Sequence, residues 1–200
     1  MKKRTSLPPV RSGAVPPNYR EVLYWRITQS SWKLTLVNLL AFPAAGLMGL
    51  IFFGWVVLMN RMPAARSLPL AQALSLVLAV VATLVLHEVA HGLAMLAYGA
   101  RPRFGVLWQG LMLFATSPGH AFRRNDYVVV ILAPLVGLSL LALMAVLISS
   151  PEVAVLVAVC ATVNGAGAVG DLWILRITLR YPEQAYVMDE RDGMRIFLPA

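Results

Sequence analysis

The chain alternates between long apolar blocks and short polar breaks. Four blocks stand out, at about Leu34–Met59, Leu70–Tyr98, Tyr127–Ile148 and Val153–Leu175. Each is long enough, at about 1.5 Å per residue, to cross a hydrocarbon layer of about 30 Å as a helix. Helix breakers separate them: "NRMPAARSLP" follows the first block and "SSPE" precedes the fourth. Between the second and third blocks, "RFGVLWQGLMLFATSP" is apolar but interrupted by Gln109-Gly110. It predicts two short strands, about Arg103–Trp108 and Leu111–Ser117, joined by a tight turn and lying against the membrane. The tail "AYVMDERDGMRIFL" predicts a second small hairpin turning at "ERDG". The expected fold is an all-α polytopic membrane protein with four transmembrane helices and these two hairpins as its only strands. Three regions follow: a basic tail over 1–33, a membrane-embedded core over 34–180 and a C-terminal hairpin tail over 181–200.

Composition agrees with a membrane protein: 59% of the 200 residues are hydrophobic and 13% are charged, where a soluble domain carries about 25% charged. No cleavable signal peptide is expected, because Pro and Ser follow the basic start where an apolar run would be needed. The net charge of +8 raises the question of nucleic acid, but the basic residues follow topology. Of the 17 Lys and Arg, fifteen fall in the N-terminal segment, the connection between blocks two and three, and the C-terminal part; only Arg61 and Arg66 fall on the opposite side. This asymmetry predicts an integral protein of the cytoplasmic membrane with both termini cytoplasmic and no nucleic-acid partner. The segment "YREVLYWRITQSSWKL" is expected along the interface, its Tyr and Trp at headgroup level. The single cysteine, Cys160, excludes an internal disulfide and a CxxC metal site.

Inside the four blocks the only Asp, Glu or His residues are His87, Glu88, His91 and Asp171, and there is no Lys or Arg. Ionisable groups at membrane depth mark function, because their desolvation must be offset. His87 and His91 are four apart and share a helix face. With Glu88 they form HExxH, the pattern in which two imidazoles hold Zn²⁺ and the glutamate acts as general base. A third ligand is needed, and Asp171 is the expected one. His87 lies 17 residues into the second block and Asp171 18 residues into the fourth, which puts them at similar depths of about 26 and 27 Å. The competing third ligand, His120, sits in the loop "SPGHAF". Asn164, seven residues before Asp171, falls on roughly the same helical face and is assigned to substrate binding, with a helix–helix hydrogen bond as the other role open to it. Small residues in "NGAGAVGD" let two helices approach closely.

With these residues in view, the chain resembles the bacterial family described as putative zincin peptidases, membrane metallopeptidases related to site-two proteases. The resemblance covers about 85–197 and rests on "HEVAHGL", "RPRFG", "ATSP", "YVVVILAPLVGLS", "NGAGAVGDLW" and "YPEQAYVMDERDG", in that order. It implies an intramembrane-type metallopeptidase fold in which His87, His91 and Asp171 match metal ligands and Glu88 the catalytic glutamate. One departure is that Asp171 is followed by Leu172 and no proline follows Asn164, whereas the site-two protease pattern has Asp-Gly after Asn-Pro. The expected activity is zinc-dependent hydrolysis of a peptide bond in a membrane-embedded or membrane-adjacent protein or peptide, near the cytoplasmic face. The alternatives are a proteolytically inactive zinc-binding scaffold or regulator and, less favoured, a transport protein, for which four blocks without a repeat and with one polar cluster offer no conduction path.

Overall fold

The computed structural model describes residues 13–64, 70–108 and 112–200. The turn expected at Gln109-Gly110, the first twelve residues of the basic tail and Arg66 lie outside the described residues. The first two apolar blocks form uninterrupted helices, α1 (Ser31–Leu58) and α2 (Leu70–Ala97). The third block forms α3 (Arg124–Ala133), a single π-helical stretch at Pro134–Leu138, and α4 (Ser139–Ile148). The fourth is not one rod. It comprises α5 (Pro151–Gly167) and α6 (Val169–Thr178), bent by 40° at the break between them. Among the described residues three helical stretches, Ser31–Leu58, Ala73–Ala97 and Arg124–Ile148, are long and apolar enough to cross a membrane, and the bent pair makes a fourth if it is one span.

Local signals account for the helix ends. Pro151 opens α5 at a position where its missing N–H costs nothing, and the Ser150 hydroxyl accepts from the Val153 N–H. Gly99 closes α2 at φ +79°, and the Ala100 N–H reaches back to the Met95 carbonyl. A left-handed residue is what such a C-terminal cap requires.

The expectation of an all-α molecule with two small hairpins is corrected. Among the described residues there are six strands: β1 (Tyr19–Arg26), β2 (Arg103–Leu107), β3 (Met112–Thr116), β4 (Ala121–Arg123), β5 (Tyr186–Glu190) and β6 (Gly193–Pro199). β2 and β3 pair antiparallel, Gly105 opposite Phe114. The others build a four-stranded antiparallel sheet in the order β1-β6-β5-β4. The C-terminal hairpin β5–β6 is thus the middle of a sheet whose outer strands come from either side of it. β1 pairs with β6 from Tyr19 opposite Pro199 to Arg26 opposite Gly193, and β4 pairs with β5. These partners are far apart in sequence, and β4 has only three residues, so neither carries a local signal of pairing.

The sheet gathers the start of α1, the end of α2, the start of α3 and the end of α6 at one end of the helices. Its inner face supplies Phe122, Val187, Met194 and Ile196 to a core that Met95, Tyr127 and Val130 complete from α2 and α3. At the other end a second core joins Phe52 and Val56 of α1 to Ala142, Val146, Ala154 and Ala158. There the Arg61 guanidinium donates to the Leu147 and Ser149 carbonyls at the end of α4, groups that a helix C-terminus leaves without partners. Of the 28 residues of α1 only Phe52 and Val56 are buried. The rest of this apolar surface is half-buried or, as at Phe42, Leu50 and Leu58, exposed. Water would penalise so large an apolar area, whereas hydrocarbon would not.

The approach of β1 to β6 depends on Gly193. A Cβ there would lie 2.0 Å from the Trp25 carbonyl oxygen, a main-chain atom that cannot rotate away. Gly193→Ala should therefore destabilise the protein by about 2 kcal/mol or more. The check is thermal unfolding in detergent together with limited proteolysis, which should cut the chain near 19–26 in the variant first. An unchanged melting temperature and digestion pattern would contradict the close approach.

A candidate metal centre

His87 and His91 project from one face of α2, their rings 5.2 Å apart at 75°. Asp171 comes from the first turn of α6, just past the α5–α6 break. The break turns the chain so that this carboxylate meets both rings: Oδ2 lies 3.0 Å from His87 Nε2 and Oδ1 lies 3.4 Å from His91 Nε2. One donor atom from each of the three residues falls within 4.8 Å of the others. Two ligands each about 2.0–2.1 Å from a tetrahedral ion would stand about 3.3 Å apart. The two carboxylate–imidazole separations match what one small cation requires.

The far sides of the rings decide what the near sides can do. His91 Nδ1 is 2.9 Å from the Val130 carbonyl, which only accepts, so Nδ1 donates. His87 Nδ1 is 2.9 Å from Asn164 Oδ1, and the amide is oriented by its Nδ2 donating to the Pro134 carbonyl at 3.1 Å. His87 Nδ1 therefore donates as well. Both Nε2 atoms face the Asp171 carboxylate with a lone pair unless each ring carries a second proton. Lone pairs and an anion converging at such distances repel. One divalent cation between them removes the conflict without charging either imidazole, so this donor set fits Zn²⁺, for which nitrogen and oxygen ligands are suited.

Glu88 sits beside this group and faces the Ala115 N–H of β3. The site opens into a cavity of about 490 Å³. α1 contributes Val37 and Asn38 to its wall, β3 contributes Met112–Ala115, and the β5–β6 turn contributes Arg191 and Asp192. The Arg26 guanidinium holds Asp192 through contacts of 2.9–3.1 Å, and the Thr28 hydroxyl donates to the same carboxylate. This ties the end of β1 to the cavity mouth. His120 is not in the donor group; it packs against Phe122 at 4.6 Å, and burial pushes its imidazole pKa down. Asn164 is 1% exposed and lies behind His87, outside the lining of the large cavity.

The sequence reading missed Asp189, a buried carboxyl on β5 that lines the cavity and accepts from the Tyr127 hydroxyl at 2.6 Å. Strand alternation was the available signal: Asp189 shares the inward face with Val187. Burial pushes its pKa from the ordinary 3.8 up to about 7, opposed by the Tyr127 hydrogen bond. A carboxyl whose pKa rises on folding holds its proton more tightly in the folded chain. Its contribution to stability is complete below about pH 4 and fades as pH rises through about 7. Asp189→Asn keeps an acceptor for Tyr127 and removes the titration. Its melting temperature should fall less than the parent's between about pH 5 and pH 8; a parent that gains stability over that range relative to the variant would contradict the assignment.

A family model described as "Putative zincin peptidase" matches residues 80–186. That stretch runs from α2 through the donor group to the start of β5, leaving β1, α1 and β6 outside. No curated protein and no solved structure matches the chain. Because the match takes in more than half of the chain and all the residues of the metal centre, the protein belongs to the putative zincin peptidase family.

Proposed function

We propose that this protein is a zinc-dependent intramembrane metallopeptidase that hydrolyses a peptide bond in a membrane-embedded or membrane-adjacent substrate near the cytoplasmic face. The observation that carries this reading is the convergence of His87 Nε2, His91 Nε2 and the Asp171 carboxylate, with both Nδ1 atoms already donating elsewhere. When bound there, Zn²⁺ supplies a Lewis acid that polarises a carbonyl and lowers the pKa of water to about 7.

The chain's own residues do the rest. Glu88 is placed to take the proton from the attacking water and to pass it to the leaving amine. β3 pairs with β2 on one edge only, and Ala115 of β3 lies beside Glu88. An unwound substrate laid along the other edge would satisfy its amides by adding a strand, with its scissile carbonyl brought beside Glu88. The bias of Lys and Arg toward the sheet-bearing end supports a cytoplasmic placement of that end and water entry from that side. Exclusion of bulk water by the surrounding apolar helices strengthens each charge interaction in the site.

Glu88→Gln leaves all three proposed ligands in place. It should bind zinc as the parent does and lose cleavage of a transmembrane peptide by about 10²–10⁴-fold. His87→Ala should lose the metal itself, read by metal content of the purified protein. Equal cleavage by Glu88→Gln would refute the mechanism. Zinc binding by a parent that cleaves no candidate substrate would favour the scaffold alternative.

A further inference from the structure

The third apolar segment gives no side chain to the donor group, yet its backbone reaches His91 directly and His87 through Asn164. Pro134 interrupts this segment, and the stretch Pro134–Leu138 is π rather than α. Proline has no N–H, so it cannot donate to the carbonyl four residues earlier, which is that of Val130. That carbonyl accepts from His91 Nδ1. One turn further on, the Pro134 carbonyl accepts from Asn164 Nδ2, and Asn164 Oδ1 accepts from His87 Nδ1. Had position 134 carried an N–H in a regular helix, that group would compete with His91 Nδ1 for the Val130 carbonyl and draw it into the helix ladder, weakening the bond to the ring.

Both ends of the Asn164 amide are occupied, and the residue is 1% exposed behind His87. Asn164 and Asp171 hold opposite edges of the same ring, at Nδ1 and Nε2. Asn164 is absent from the lining of the large cavity and borders instead a second, apolar cavity of about 320 Å³, which Thr83 of α2 and Ala161 of α5 also line.

We infer that Pro134 is a positioning residue for the metal centre in two separable ways: its missing N–H leaves the Val130 carbonyl to orient His91, and its own carbonyl, which an alanine would keep, orients His87 through Asn164, so that both Nε2 atoms face Asp171. This rests on the metal reading of the site. It makes Asn164 and Pro134 positioning residues that act through the histidines and never touch the substrate. Groups that donate to or accept from the far nitrogen of a ligand histidine set its orientation, and their loss weakens metal binding by about 10- to 100-fold.

The test uses the full chain in detergent micelles, with two measurements independent of cleavage. The first follows the Nδ1–H protons of the buried histidines by NMR in the metal-free protein; the second is zinc affinity by competition with a chromophoric chelator. Wild type should show a slowly exchanging Nδ1–H resonance for both His87 and His91. Asn164→Leu should lose the His87 resonance alone, and Pro134→Ala the His91 resonance alone, each with zinc affinity reduced about 10- to 100-fold. Asn164→Asp, which keeps an acceptor facing His87, should retain the resonance and most of the affinity. It also carries the test if the leucine variant does not fold. A merely structural role would weaken both resonances together. An Asn164→Leu protein with the His87 resonance intact and unchanged zinc affinity would overturn the inference. If wild type shows both resonances and binds no zinc, the proposed function fails while the orientation by Val130, Asn164 and Pro134 stands.

Discussion

Two imidazole nitrogens and a carboxylate meet at 3.0–3.4 Å inside a molecule whose helices are otherwise almost wholly apolar. Polar groups in such surroundings are stable only when their charge and hydrogen-bonding capacity are matched. The far nitrogens are matched by the Val130 carbonyl and the Asn164 amide. The near ones face the Asp171 anion, and an anion facing two lone pairs calls for a cation between them. The rest of the structure can be understood as what brings and holds these three groups.

Three apolar segments share that work. α2 supplies both rings because a four-residue spacing returns to the same helix face. The bent pair α5–α6 supplies Asn164 before the break and Asp171 after it, so one segment grips His87 from two sides. The α3–α4 segment supplies backbone carbonyls. Small residues allow the necessary closeness. Gly165 of α5 faces Met48 of α1, where a Cβ would lie 2.5 Å from the Met48 side chain. Gly92, next to His91, leaves room for the Phe104 ring of β2, where a Cβ would come within 2.4 Å of the ring. That second contact seats the β2–β3 hairpin against α2 and so sets β3 beside Glu88.

The four-stranded sheet gives the site its closed end. Its inner face continues into the core formed with Met95, Tyr127 and Val130, and Tyr127 links that core to Asp189 at the cavity. The Arg26–Asp192 pair joins the first strand to the turn of the last hairpin. The wall of the cavity is therefore assembled from both ends of the chain.

Residues close together in sequence carried most of what could be read without coordinates. The apolar blocks, the HExxH face of α2 and the two hairpins each depend on contacts within a few tens of residues, which periodicity and turn chemistry report directly. The pairing of Asp171 with His87 was also legible, because helical rise is nearly constant and depth can be counted, although the break at Ala168 was not foreseen. Pro134 marks a released carbonyl at Val130 by simple counting, but no sequence says which donor will find it. The four-stranded sheet, the inward carboxyl of Asp189 and the enclosing of the cavity by β1 were decided only by the tertiary structure. Strand pairing is a contact between backbones that carry no side-chain signature, and its partners here are far apart in sequence, β1 with β6 and β4 with β5. The residues themselves determined which groups need compensation; folding determined which neighbours supply it.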